Sequence, residues 1–129
     1  MLKFVKMDIA IKSILTLISI ICFLGGFNVL LKGAAKFLPL NTPPQPILDN
    51  LLRFLSGIYI GMGFLCIWAA FRVDQSDYLV YFLGVIVLCS GLGRLYSRLK
   101  LKSGNSYLQS MMVLEILLGL SLIILRYCR

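Results

Sequence analysis

The chain has 129 residues, of which 60% are hydrophobic and only 14% charged, whereas soluble domains average about half apolar and a quarter charged. That composition excludes an ordinary soluble domain, and the length points to one domain over residues 1–129. The net charge of +8 comes from 13 Lys and Arg against five Asp and Glu, but these basic residues flank apolar runs instead of forming one stripe, so they read as anchors for anionic lipid headgroups and not as a nucleic-acid surface.

Residues 1–12 carry Lys3, Lys6 and Lys12, and the next 19 residues, 13–31, hold no charge. At 1.5 Å per residue such a run crosses a hydrocarbon core of about 30 Å. A basic start before an apolar run also resembles a secretory signal, with Gly33-Ala34-Ala35 as a loose cleavage site. The run is longer than the 7–15 residues of a signal's apolar region, so residues 13–31 are expected to be the first transmembrane helix.

Residues 32–50 form the longest expected connection and contain all four prolines, Pro39, Pro43, Pro44 and Pro46. Proline lacks an amide donor and disfavours helix in the residue before it, which predicts a loop outside the hydrocarbon. Asp49 or Asn50 is the expected N-cap of a second helix over 51–71. Within that helix Gly57 and Gly61 form a GxxxG pair, which lets helix backbones approach closely. Packing within the chain is the default reading of it, and self-association the sharper one.

The polar turn RVDQSD, 72–77, precedes a third helix over 78–99. KLKSGNS, 100–106, has the composition of a turn, and a fourth helix follows over 107–125. The expected fold is all-α: an integral membrane bundle of four transmembrane helices, with antiparallel neighbours and both termini on one side. The terminal side holds Lys3, Lys6, Lys12, Arg72, Arg126 and Arg129, and the other Lys32, Lys36, Arg53, Arg94, Arg98, Lys100 and Lys102. Setting Arg53 and Arg94 aside as buried leaves five against six, which favours cytoplasmic termini.

An even helix count brings the end of helix one, the start of helix two, the end of helix three and the start of helix four to one leaflet. Asn28, Asn50, Arg53, Tyr59, Arg94, Ser97 and Glu115 therefore form an expected polar node. Glu115 lies roughly 12 Å along its helix from Tyr107, where an unpaired charge costs roughly 2.5–3.5 kcal/mol. Arg53 and Arg94 are the partners in view, since a guanidinium fork matches a carboxylate. Each charge shares a helical stripe with glycine, and Gly57, Gly61, Gly91 and Gly119 are the expected packing positions. Two arginines against one glutamate leave a surplus of +1, so the node is either a structural lock or a site for an anionic group such as a lipid phosphate.

No catalytic, metal or cofactor site is expected. The chain has no His, the commonest general base and metal ligand. Cys22, Cys66, Cys89 and Cys128 show neither a CxxC pair nor metal-ligand spacing.

NLLRFLSGIYIGMG, GLGRLYSRL and the glutamate of MVLEILLGLSLIILRY together resemble the small bacterial inner-membrane proteins of domain of unknown function 4345. Asn50, Arg53, Gly57, Tyr59, Gly91, Arg94, Ser97 and Glu115 match its pattern, over roughly residues 13–127. The resemblance implies a four-helix protein of the bacterial cytoplasmic membrane with no established enzyme activity. More distantly the chain is similar to DoxX-like four-helix membrane proteins, without a quinone or thiol site. The leading expectation is a non-enzymatic homo-oligomer that supports envelope integrity or lipid handling and binds membrane lipid. The alternatives are a small carrier or channel subunit using Glu115 and a regulatory subunit of another membrane protein.

Overall fold

The computed structural model describes residues 1–75, 77–102 and 105–129. Its four long helices are α1, Leu2–Lys32, α2, Pro46–Phe71, α3, Asp77–Leu101, and α4, Ser106–Tyr127. A short 3-10 turn, Gly33–Lys36, follows α1. The chain is all-α, and among the described residues all four helices are long and apolar enough to cross a membrane.

Each helix is longer than its apolar run. Lys3, Lys6 and Lys12 lie inside α1, because unbranched basic side chains are good helix formers and can extend toward water from an apolar helix end. The connection after α1 is correspondingly shorter than expected: Pro46 is not part of it but the first residue of α2, where a missing amide donor costs nothing. Asp49 is consequently inside the first turn of α2, and neither it nor Asn50 is the N-cap. The expected turn at 100–106 is shortened to the residues between Leu101 and Ser106; its Ser103 and Gly104, like Ser76 of the expected turn at 72–77, lie outside the described residues.

The chain forms two compact units, Leu15–Trp68 and Met1–Ile14 with Ala69–Arg129. In the first, α1 and α2 run antiparallel: Ser19 donates to the Gly63 carbonyl at 2.8 Å, and a Cβ at Gly26 would stand 3.2 Å from the Ser56 carbonyl oxygen. Phe23 packs edge-on to Phe64, ring centroids 4.9 Å apart. In the second, α3 and α4 run antiparallel with their backbones in near contact at glycine. A Cβ at Gly119 would lie 2.6 Å from the Leu88 nitrogen, and one at Gly91 3.0 Å from the Ile116 nitrogen. Val80, Leu83, Val87, Met112 and Leu122 are buried.

Outside these contacts the helices present large apolar side chains. Leu24 is 69% exposed, Phe54 62%, Phe82 69% and Leu117 57%. Such a surface far exceeds the patches that water-soluble monomers tolerate, and it suits hydrocarbon.

Ion pairs join the chain's ends. Arg129 stands 2.5 Å from Asp8 of α1 and 2.9 Å from Asp74 in the α2–α3 connection, while buried Arg126 pairs with Asp77 and donates to the Val73 carbonyl at 3.5 Å. Both termini therefore lie at the same end of that unit.

Candidate functional site

The close α3/α4 contact at Gly91 sets the site. One turn beyond it, Arg94 faces α4, and its Nε donates to Glu115 Oε2 at 2.8 Å. The Glu115 side chain is 12% exposed and that of Arg94 35%. Glu115 is nine residues into α4, about 13 Å along the axis, too deep for its short side chain to reach water, so the guanidinium extending from the helix end comes to it.

Beyond this pair, at the ends of α3 and α4, lies a groove of about 220 Å³. Its polar lining residues are Arg94, Ser97, Arg98, Asn105 and Gln109, and its apolar ones Leu101, Leu108 and Met112. Arg94 and Arg98 are one turn apart on α3 and share a face. Asn105 is the N-cap of α4, and its side chain accepts from the amides of Tyr107 and Leu108 at 3.0 and 3.3 Å. The guanidinium of Arg98 makes no ion pair, and the side chains of Ser97 and Gln109 no hydrogen bond, among the described residues. The groove thus joins a committed Arg–Glu pair to uncommitted donors, and its lining has a surplus of positive charge.

Arg53 has a different setting. Its Nε stands 2.6 Å from Asp49 Oδ2, and its Nη1 donates to the Leu30 carbonyl at 2.5 Å. The other Asp49 oxygen accepts from the Ala34 amide at 2.9 Å. Gly33 makes the turn between them with φ +57°, a conformation that costs other residues strain. Arg53 and Asp49 together close the C-terminal end of α1, the cation on a free carbonyl as helix-end electrostatics favour.

The residues of the expected node divide between the two units. Asn28, Asn50, Arg53 and Tyr59 belong to Leu15–Trp68, and Arg94, Ser97 and Glu115 to the other. Each arginine has a carboxylate within its own unit. Leaving Arg53 to share Glu115 overlooked Asp49, which stands four residues before it, a spacing that pairs side chains on a helix. Asn50 is exposed and Asn28 and Tyr59 are half-buried. Of the expected packing glycines, Gly91 and Gly119 lie against backbone, while a Cβ at Gly57 or Gly61 would meet nothing within 4 Å. Arg98, Asn105 and Gln109 were not among the expected site residues; the i, i+4 repeat of arginine in GLGRLYSRL was the signal for the first.

All five acidic residues are paired with arginine: Asp49 with Arg53, Glu115 with Arg94, and Asp8, Asp74 and Asp77 with Arg126 and Arg129. Four membrane-length helices and arginine-paired acids define a small all-α protein of the membrane-spanning class. A family model described as Domain of unknown function (DUF4345) matches residues 10–126, and the chain belongs to that family. No curated protein and no solved structure matches the chain.

Proposed function

We propose that this protein is a non-enzymatic component of the bacterial inner membrane that handles anionic lipid, and in doing so supports envelope integrity, through the groove between α3 and α4. The observation that carries this reading is the juxtaposition of Arg98, Ser97 and Gln109, uncommitted among the described residues, with apolar Leu101, Leu108 and Met112 in one groove at the helix ends. Basic side chains at that depth attract anionic headgroups, at about 1 kcal/mol each. A homo-oligomer fits the open, glycine-lined face of α2 at Gly57 and Gly61, where backbones could meet closely.

Extraction of the protein from bacterial membranes and analysis of the lipid retained with it tests the reading. Wild type is expected to keep anionic lipid that Arg98→Ala loses, and cells lacking the protein to become more sensitive to detergent. Wild type that retains only the bulk lipid mixture would overturn it.

The predicted orientation depends on which basic residues are counted. Arg126 and Arg129 are ion-paired as Arg53 and Arg94 are, and without these four the terminal side keeps four basic residues and the other side five. The earlier margin toward cytoplasmic termini therefore rests on counting Arg126 and Arg129. Exposed Cys128 decides the matter: cytoplasmic termini shield it from an impermeant thiol reagent in intact cells, and outward termini expose it.

A further inference from the structure

Resting on the reading that the α3/α4 groove takes an anionic lipid, we infer the chemical class of that lipid from the charge balance and donor set of the groove. It is a phosphodiester lipid of net charge minus one whose headgroup is uncharged and bears hydroxyls, of the phosphatidylglycerol kind.

The charge balance comes first. Arg94 and Arg98 contribute two positive charges, and Glu115 neutralises one through its 2.8 Å bond to Arg94. Lys100 keeps its charge over the Tyr96 ring, 5.9 Å from the centroid, but neither it nor Lys102 lines the groove, so the balance is that of the lining alone. One positive charge is left over. A phosphodiester supplies one negative charge and balances it, whereas a phosphomonoester, carrying about −1.5 to −2 near neutral pH, leaves an excess of negative charge.

The headgroup is chosen by what the groove lacks. None of its lining residues is acidic, and every acidic side chain of the chain is already held by arginine. An ammonium headgroup would have no counter-charge and would stand beside Arg98, a like-charge contact. A hydroxyl headgroup meets Ser97 and Gln109, which each have hydrogen-bonding capacity to offer.

Size and depth agree with this. The 220 Å³ volume is below the roughly 300–1,000 Å³ of pockets that take drug-sized ligands, so the groove holds a headgroup and leaves the acyl chains in the bilayer. It lies beside the N-cap of α4, at the end of the span, where phosphates of a bilayer sit and where the helix N-terminus adds partial positive charge.

The test is native mass spectrometry of the full-length protein in detergent, offered equal amounts of phosphatidylglycerol, phosphatidic acid and phosphatidylethanolamine with identical acyl chains. Phosphatidylglycerol is expected to exceed phosphatidylethanolamine by about tenfold, as the loss of charge-assisted hydrogen bonds implies, and to exceed phosphatidic acid. Arg98→Ala should reduce phosphatidylglycerol to the phosphatidylethanolamine level with an unchanged unfolding midpoint. Ser97→Ala and Gln109→Ala should each lower retention about fivefold. Phosphatidic acid bound as well or better overturns the charge argument and leaves the anionic-lipid reading standing. Equal binding of phosphatidylethanolamine overturns the headgroup argument. No anionic lipid bound at all, or retention indifferent to Arg98→Ala, removes both readings. Soluble glycerophosphoglycerol at equal concentration should not displace the lipid; if it does, a soluble phosphodiester is the ligand and the lipid assignment fails.

Discussion

Arg94 Nε lies 2.8 Å from Glu115 Oε2 across two antiparallel helices whose backbones nearly touch one turn away at Gly91. The carboxylate is held deep in α4 by a guanidinium whose own helix end opens on a groove. One residue pair therefore serves both packing and the site's electrostatics. Glu115→Gln should cost about 1–2 kcal/mol in detergent unfolding, the upper part of the range measured for interhelical polar contacts in membranes. Arg94→Gln should cost a similar amount, and the double variant less than the sum. An unchanged unfolding midpoint in Glu115→Gln would contradict a stabilising role for the pair.

Glycine positions should separate into two classes. Gly119→Ala places a methyl 2.6 Å from the Leu88 nitrogen and 2.9 Å from the Gly84 carbonyl oxygen. Backbone cannot step aside, so α3 and α4 must part, at a cost of about 1–3 kcal/mol. Gly57→Ala meets nothing within 4 Å in the single chain, so helix propensity predicts a gain of about 0.5–1 kcal/mol in the monomer, which close packing of a second copy on that face would reverse. Thermal unfolding of the two variants side by side checks the contrast; equal loss in both would show that the Gly57 face is occupied in the assembled protein.

Gly33 has φ +57°, and a Cβ there would collide with the Asp49 side chain. Gly33→Ala should therefore cost about 1–2 kcal/mol from backbone conformation and also push Asp49 from the Ala34 amide and from Arg53. Amide hydrogen exchange near the end of α1 should accelerate while α3 and α4 keep their protection. Arg53→Gln should accelerate exchange over the same residues, since it removes the donor to the Leu30 carbonyl. Exchange changed throughout the protein, instead of locally, would argue against a capping role.

Arg129 reaches Asp8, Asp74 and Asp77 at 2.5, 2.9 and 3.8 Å. Arg129→Ala should lower the unfolding midpoint, and because Asp74 and Asp77 are mostly exposed the loss should shrink as salt rises from about 0.05 M to about 1 M and screens the remaining field. A deficit independent of salt would indicate lost packing in place of lost charge.

The helices and most of their ends were readable because lipid imposes a length on an apolar segment and proline and polar runs interrupt it. Even so, the sequence pattern cut α1 short at its lysines, whose stems continue an apolar helix while their charges turn to water. The pairing of Glu115 with an arginine followed from its depth alone. Which arginine it takes could not be read the same way, because Arg53 and Arg94 are alike in type and in expected leaflet. What distinguishes them is Asp49, one turn before Arg53 at the i, i+4 spacing that pairs side chains on a helix.

The sequence by itself determined the class of the protein, its four apolar helices, its family and the identity of the charges that need partners, because hydropathy and the cost of burying charge act residue by residue. Only the tertiary structure decided which partners those are, which glycines touch backbone and which face outward, and that the uncommitted donors of Arg98, Ser97 and Gln109 gather in one groove. Those depend on the rotation of α1 against α2 about Gly26 and Gly63 and of α3 against α4 about Gly84, Gly91 and Gly119. A helix of apolar residues on every side has no single buried stripe to specify that rotation in advance.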